Sequence, residues 1–183
     1  NIKISKSIAS EAITVFPFDI NGSDDIQYLG DGMVDLISTK LDEFPGVNSV
    51  DPNMVFSLLK GIRNISRQPQ KAADFSQVLG AEKFILGSIV ELNDVLQITA
   101  SKYDATGNLL DKRNVQGNKN THLAKAIDEL IKQLIAGELK GQEFKSLGAI
   151  TSNNMSSLKA YLKGEQEYRA GNYMNAYVYF KNA

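Results

Sequence analysis

Apolar positions fall into two rhythms along the chain. From Ala12 to Phe18 (AITVFPF) they run almost unbroken, β-branched and aromatic with Pro17 near the end, which predicts a buried strand. Ile26, Leu29, Met33, Ile37 and Leu41 then recur every three or four residues, so residues 25–43 are expected to form one amphipathic helix. Asp24 stands three before Gln27, the spacing of a capping box, and Pro45-Gly46 ends the run. Val47 to Val50 is a short strand candidate. Asp51-Pro52 joins an N-cap carboxylate to a proline at the first helical position, and Val55, Leu58, Leu59 and Ile62 supply the stripe of the helix that follows. Residues 64–70 (NISRQPQ) read as a loop, and Lys71 to Leu79 as a short helix stopped by Gly80.

The second half changes period. Lys83 to Glu91 (KFILGSIVE) reads as a second buried strand, and Val95 to Tyr103 alternates with Leu96, Ile98 and Ala100 on one face. Asn93-Asp94 and Thr106-Gly107-Asn108 mark the turns of a meander whose third strand is Leu109 to Gln116. Thr121 to Leu139 carries the strongest helical stripe, with Leu123, Ile127, Leu130, Ile131, Leu134 and Leu139. Residues 140–152 are polar and aperiodic, a linker. Two helices close the chain. Leu158, Tyr161, Leu162, Glu165 and Tyr168 share one face of the first, capped by Asn153 or Asn154. Tyr173, Ala176, Tyr177 and Phe180 share one face of the second, after a break at Gly171-Asn172.

Composition narrows the classes. The 20 Lys and Arg balance 21 Asp and Glu, so the net charge of -1 offers no footprint for a nucleic-acid backbone. Without cysteine there is no disulfide, thiolate metal site or Cys nucleophile, which fits an oxidising compartment. No apolar run is long enough to span a bilayer, and no signal peptide is expected within these residues. The start at Asn1, without methionine, suggests a piece of a longer protein, which leaves room for a removed anchor or signal.

The last segment resembles a tetratricopeptide repeat, on Gly164, Gly171-Asn172-Tyr173, Ala176, Phe180 and Ala183. The match is partial: Lys163 stands where leucine is usual, Ala160 where an aromatic is usual, and Tyr168 lies one residue late. One repeat cannot bury its own face, so further repeats are expected in the parent protein. The first 140 residues resemble the TolB amino-terminal-like α/β module that accompanies such repeats in bacterial adenylate cyclases, Ser/Thr kinases and response regulators. The ordered set ITVFPFD (13–19), YLGDGMVDLISTKL (28–41), VLGAEKFILGSIV (78–90), LQITASKYDATGNLL (96–110) and AITSNNMSSLKAYLKGEQEYRAGNY (149–173) carries the likeness. Two positions depart from it: Asn154 where the family often has proline, and Leu110-Asp111 where it often has an aromatic.

The resemblance implies a mixed α/β sheet with packed helices over residues 1–140, a linker at 141–152 and a truncated repeat hairpin at 153–183. It implies a non-catalytic sensor or interaction module of a signalling protein, with any enzyme in a separate domain and no cofactor. The module would lie on the extracytoplasmic side, with a cytoplasmic place left open. It would meet a membrane only through a missing anchor of the parent. A protein or peptide partner on the repeat surface follows from it, and homodimerisation is compatible with it.

Three chemical alternatives compete with that reading. Asp19, Asp24, Asp25 and Asp31 could hold a cation, but the calcium-loop spacing is absent. The structural reading has Asp24 or Asp25 capping the helix and Gly30 and Gly32 admitting a close neighbour, at about 1 kcal/mol of helix propensity each. His122, the single histidine, sits in a first helical turn with no nucleophile elbow, and reads as a surface residue. Adjacent acids such as Asp42-Glu43 and Asp128-Glu129 read as solvated helix surface, as do the scattered Lys140, Lys145 and Lys159. The rivals to an interaction module are therefore a metal-dependent hydrolase built on Asp19–Asp31 and a structural part of an envelope assembly. The dense aromatics of the last two helices suit an interface or the repeat's own core. Tyr173, Ala176 and Phe180 are assigned to the core, and Tyr161, Glu165, Tyr168 and Arg169 are the candidate partner-binding residues.

Overall fold

A computed structural model describes residues 11–44, 46–119, 123–137 and 155–183. The linker at 141–152, His122, Lys140, Lys145, Leu139 and the expected caps Asn153 and Asn154 lie outside the described residues.

The expected first strand is interrupted. β1 (Glu11–Val15) pairs in parallel with β4 (Lys83–Leu92), with Val15 opposite Ile85. The chain then leaves β4 and rejoins it as β2 (Asp19–Asn21), where Asp19 faces Ser88. Residues 16–18 therefore oppose residues 86–87, a one-residue bulge. Pro17 has no N–H to give the ladder, and the Phe18 amide turns to the carbonyl of Gly30 at 3.0 Å. The bulge sends Phe16 to one face of the sheet and Phe18 to the other. The sheet runs β3-β1-β4-β5-β6, with β3 (Val47–Ser49) parallel to β1, and β5 (Val95–Asp104) and β6 (Leu109–Asn118) extending it as an antiparallel meander. A bulge at Leu110 shifts the β5–β6 register beside Lys102 and Tyr103.

Helices cover the two faces unequally. α1 (Tyr28–Asp42) and α4 (Leu123–Ile135) lie on one face over Ile13, Val15, Ile85, Ile89, Leu96 and Ile98. All the apolar positions expected on α1 are buried, from Ile26 just ahead of it to Leu41, as are Leu123, Ile127, Leu130, Ile131 and Leu134 on α4. On the other face α2 (Pro52–Leu58) and α3 (Pro69–Val78) enclose Phe16, Val55, Leu59, Ala72, Ala73, Phe84 and Leu86. That second cover stops short of β6, whose residues Lys112, Asn114 and Gln116 are exposed.

Local chemistry explains most element ends. Asp51 Oδ1 accepts the Asn53 amide at 2.8 Å at the start of α2, as the sequence requires of an N-cap. Gly80 ends α3 at φ 73°. The expected loop at 64–70 contains a 3₁₀ turn (Ile65–Arg67), entered through Asn64 in the left-handed region, and its last two residues open α3. One helix expectation needs correction. The start of α1 is a 3₁₀ turn (Asp24–Ile26) that passes into the helix at Gln27, and neither Asp24 nor Asp25 caps it by hydrogen bond. Gln27 instead donates its side-chain amide to the carbonyls of Gly22 and Ser23 at 3.2 and 3.3 Å.

The chain ends in a helix pair, α5 (Met155–Arg169) and α6 (Tyr173–Lys181), docked along α1. Leu158 and Leu162 are buried in the same core as α1 and α4.

Candidate functional site

The contact of α5 with α1 fixes how the helix pair is presented. Gly32 receives Leu162, and a Cβ at that position would stand 2.7 Å from Leu162 Cδ1. Small residues at such crossings let two helix axes approach closely. One and two turns away are polar clasps. Arg169 gives Nη1 and Nη2 to the two carboxylate oxygens of Asp35 at 2.9 and 3.0 Å, and its guanidinium lies 4.3 Å from the Phe56 ring centroid. Glu165 stands 3.8 Å from the same arginine, Gln166 donates to Asp31 at 3.3 Å, and Lys159 pairs with Asp25 beside the Tyr28 ring.

Asp35 is 7% exposed. Burial pushes its carboxyl up to about 6, and the charge and hydrogen bonds of Arg169 offset only part of that. Asp25 behaves oppositely: its hydrogen bond and ion pair with Lys159 hold it below the usual carboxylate range. Burial also raises Tyr28, to about 12, and raises Tyr161 with help from the charge of Glu165.

The four expected partner-binding residues separate. Arg169 turns inward to Asp35, and Glu165 is half-buried beside it. Tyr161 and Tyr168 face outward, Tyr161 against Phe180 and Tyr168 edge-on to Tyr173 at 5.5 Å. Within the pair, Ala176 is buried and Phe180 lies against Gly164, where a Cβ would stand 2.5 Å from its ring. Tyr173, assigned to the repeat's core from the sequence, is 66% exposed. With Met174, Tyr177 and Val178 it forms an apolar outer face. Rings with a polar tip and low conformational freedom suit contact with another protein.

The aspartates of 19–31 do not converge. Asp19 takes the Arg67 guanidinium, with Nε at 2.8 Å, Asp25 takes Lys159 and Asp31 takes Gln166. Among the described residues no three His, Asp or Glu side chains gather as metal ligands. The adjacent acids also serve local structure. Asp42 accepts the Ser49 amide at 2.6 Å and hydroxyl at 2.9 Å, Glu43 pairs with Lys40, and Glu129 accepts from Gln133.

Sequence reasoning missed a crevice of about 550 Å³ at the carboxyl end of the parallel strands. Phe18, Phe56, Leu59 and Ile62 wall it, and Asp31, Asn64 and Gln166 edge it. It opens where the chain leaves β1 for one face and β3 for the other, a switch point at which open α/β sheets place ligand crevices. The strand-to-helix order of β1–α1 and β3–α2 carried that signal.

These features define an α/β module with a mixed sheet, helices on both faces and a docked helix pair. No protein-family model matches the chain, and no curated protein matches it. Among solved structures it is similar to the lipoprotein GNA1162 from Neisseria meningitidis, with 16% identity over 72% of this chain and 99% of that one, at a TM-score of 0.51. Further similar structures are the LpoB C-terminal domain from Salmonella enterica (12% identity, 60% of this chain and 84% of that one, TM-score 0.48) and TolB from Acinetobacter baumannii (15%, 69% and 29%, TM-score 0.43). The likeness to GNA1162 shows a shared fold.

Proposed function

We propose that the chain is a non-catalytic interaction module that binds a protein partner on the outer surface of α5 and α6. The observation that carries this reading is an aromatic face, with Tyr161, Tyr168, Tyr173 and Tyr177 outward, on a helix pair clasped to the α/β body through Arg169 and Asp35. A fixed platform loses little conformational freedom when a partner docks. The finer reading makes α5 and α6 a tetratricopeptide-type hairpin in a larger bacterial signalling protein of Ser/Thr kinase or adenylate cyclase type, on the extracytoplasmic side. That reading is supported by the ordered sequence fragments alone.

Affinity capture from bacterial envelope extract, with wild-type chain and a Tyr161→Ser/Tyr168→Ser variant as paired baits, tests the surface. The expected result is a defined partner held by the wild type and lost by the variant, with the two melting at similar temperatures. A partner held equally by both removes these tyrosines from the interface. Turnover of a substrate by the chain, abolished by one carboxylate substitution, overturns the non-catalytic reading.

A further inference from the structure

The uneven helix cover leaves a polar hollow of about 270 Å³ on the sheet, at the step where the 3₁₀ turn of Ile65–Arg67 ends and the bare faces of β5 and β6 begin. The ladder builds its floor in rungs. Ser88, Thr99 and Asn114 face one another across β4, β5 and β6, and Leu86, Ser101 and Lys112 form the next rung. Strand alternation turns these side chains away from the α1–α4 core, which holds Ile89, Ile98 and Val115 of the same strands. Tyr103 ends the floor, its ring stacked on Phe84 at 5.1 Å.

Charge at the rim is not balanced within it. Arg67 gives Nε and Nη2 to one oxygen of Asp19, and its side chain is 67% exposed. Lys112 has no carboxylate partner among the described residues. The neighbouring Asp111 projects to the opposite face and pairs with Arg113 at 3.0 Å. The hollow thus sees two cations and one carboxylate. Its hydroxyls have protons to give: Thr99 Oγ1 already accepts from Asn114 at 3.0 Å, so its own O–H is left to donate.

An excess of one positive charge, with Lys112 unpaired by any described carboxylate, beside a floor of hydroxyls suits an anionic, hydroxylated ligand. We propose that this hollow binds an oxyanion, a carboxylate or a phosphate ester, carried on a small hydroxylated body such as a sugar ring. Lys112 and Arg67 neutralise the anion, and Ser88, Thr99 and Ser101 hydrogen-bond the polar body. Charge-assisted donors hold an anion more strongly than neutral ones, so charge dominates the affinity. The site is separate from the α5–α6 surface and does not depend on it.

The test is a titration of the full chain, followed through its backbone amide resonances, with glucuronate, glucose 6-phosphate and neutral glucose. Saturable shifts at Ser88, Thr99 and Ser101 are expected with at least one of the two acids and not with glucose. The acid that saturates identifies the anion as carboxylate or phosphate. Lys112→Gln, on an exposed position of β6, should weaken binding about tenfold, the scale of one lost charge-assisted hydrogen bond. Absence of saturable shifts with both acids, an equal response to glucose, or unchanged affinity in Lys112→Gln overturns the proposal.

Discussion

Leu162 of α5 occupies the space that a side chain on Gly32 of α1 would need. Alanine is intrinsically better than glycine in a helix by about 1 kcal/mol, so Gly32→Ala would help α1 alone. Here the added methyl meets Leu162 at 2.7 Å, and the contact should cost more than the propensity gains. Gly32→Ala is expected to lower the melting temperature. In a Leu162→Ala background the same substitution should become neutral or stabilising, and a double-mutant cycle on chemical unfolding measures the reversal.

Removing Arg169 leaves Asp35 buried without its ionic partner. Arg169→Ala should therefore destabilise the docked helix pair by about 3 kcal/mol. Replacing both partners by apolar groups, as Asp35→Leu with Arg169→Met, should recover most of that loss. Hydrogen exchange at α5 and α6 reads whether the helices loosen together.

The pH dependence has two limbs of opposite sign. Asp35 moves from 3.8 to about 6 on folding, so the folded state binds more protons than the unfolded one between those values. Stability should fall as pH rises through that window. Glu91, held at about 2 by its hydrogen bonds from Lys119 and Ser23, gives stability that is present above 4.5 and lost as pH falls towards 2. Denaturant unfolding across this range should show a weaker slope between pH 4 and 6 in Asp35→Asn. Glu91→Gln should blunt only the acid limb.

Asp51 tests a local prediction from sequence. Asp51→Ala should cost about 1 kcal/mol through loss of the cap to the Asn53 amide, and Asp51→Asn only a fraction of it. Both are read by equilibrium unfolding.

Periodicity made α1, α4 and the β4–β5–β6 meander legible, because each has one buried face and the residues repeat with its pitch. It did not show β2, where Ile20 is the single apolar residue and pairing depends on Ser88 to Val90 far along the chain. Helical spacing grouped Leu158 and Leu162 with Tyr161 and Tyr168. It could not say that α1 covers the leucines and leaves Tyr168 55% exposed, since that depends on where a distant helix lies. Asp35 sits between Val34 and Leu36, an odd place for a carboxylate, yet its partner stands 134 residues later. The fragments in the Asp19–Asp31 stretch suggested shared chemistry because they are close in sequence. In space Asp19, Asp25 and Asp31 go to three different partners, Arg67, Lys159 and Gln166.

Strand order also sets a timetable for assembly. β4, β5 and β6 are joined by the short turns at Asn93-Asp94 and Thr106-Gly107-Asn108, so their ladders close with little loss of chain entropy. β1 must find β4 from the far side of three helices, and α5 must find α1 across most of the chain. The meander is therefore expected to close first, as the template for the parallel strands, with α5 and α6 seating last, an order that pulsed hydrogen exchange during refolding reads.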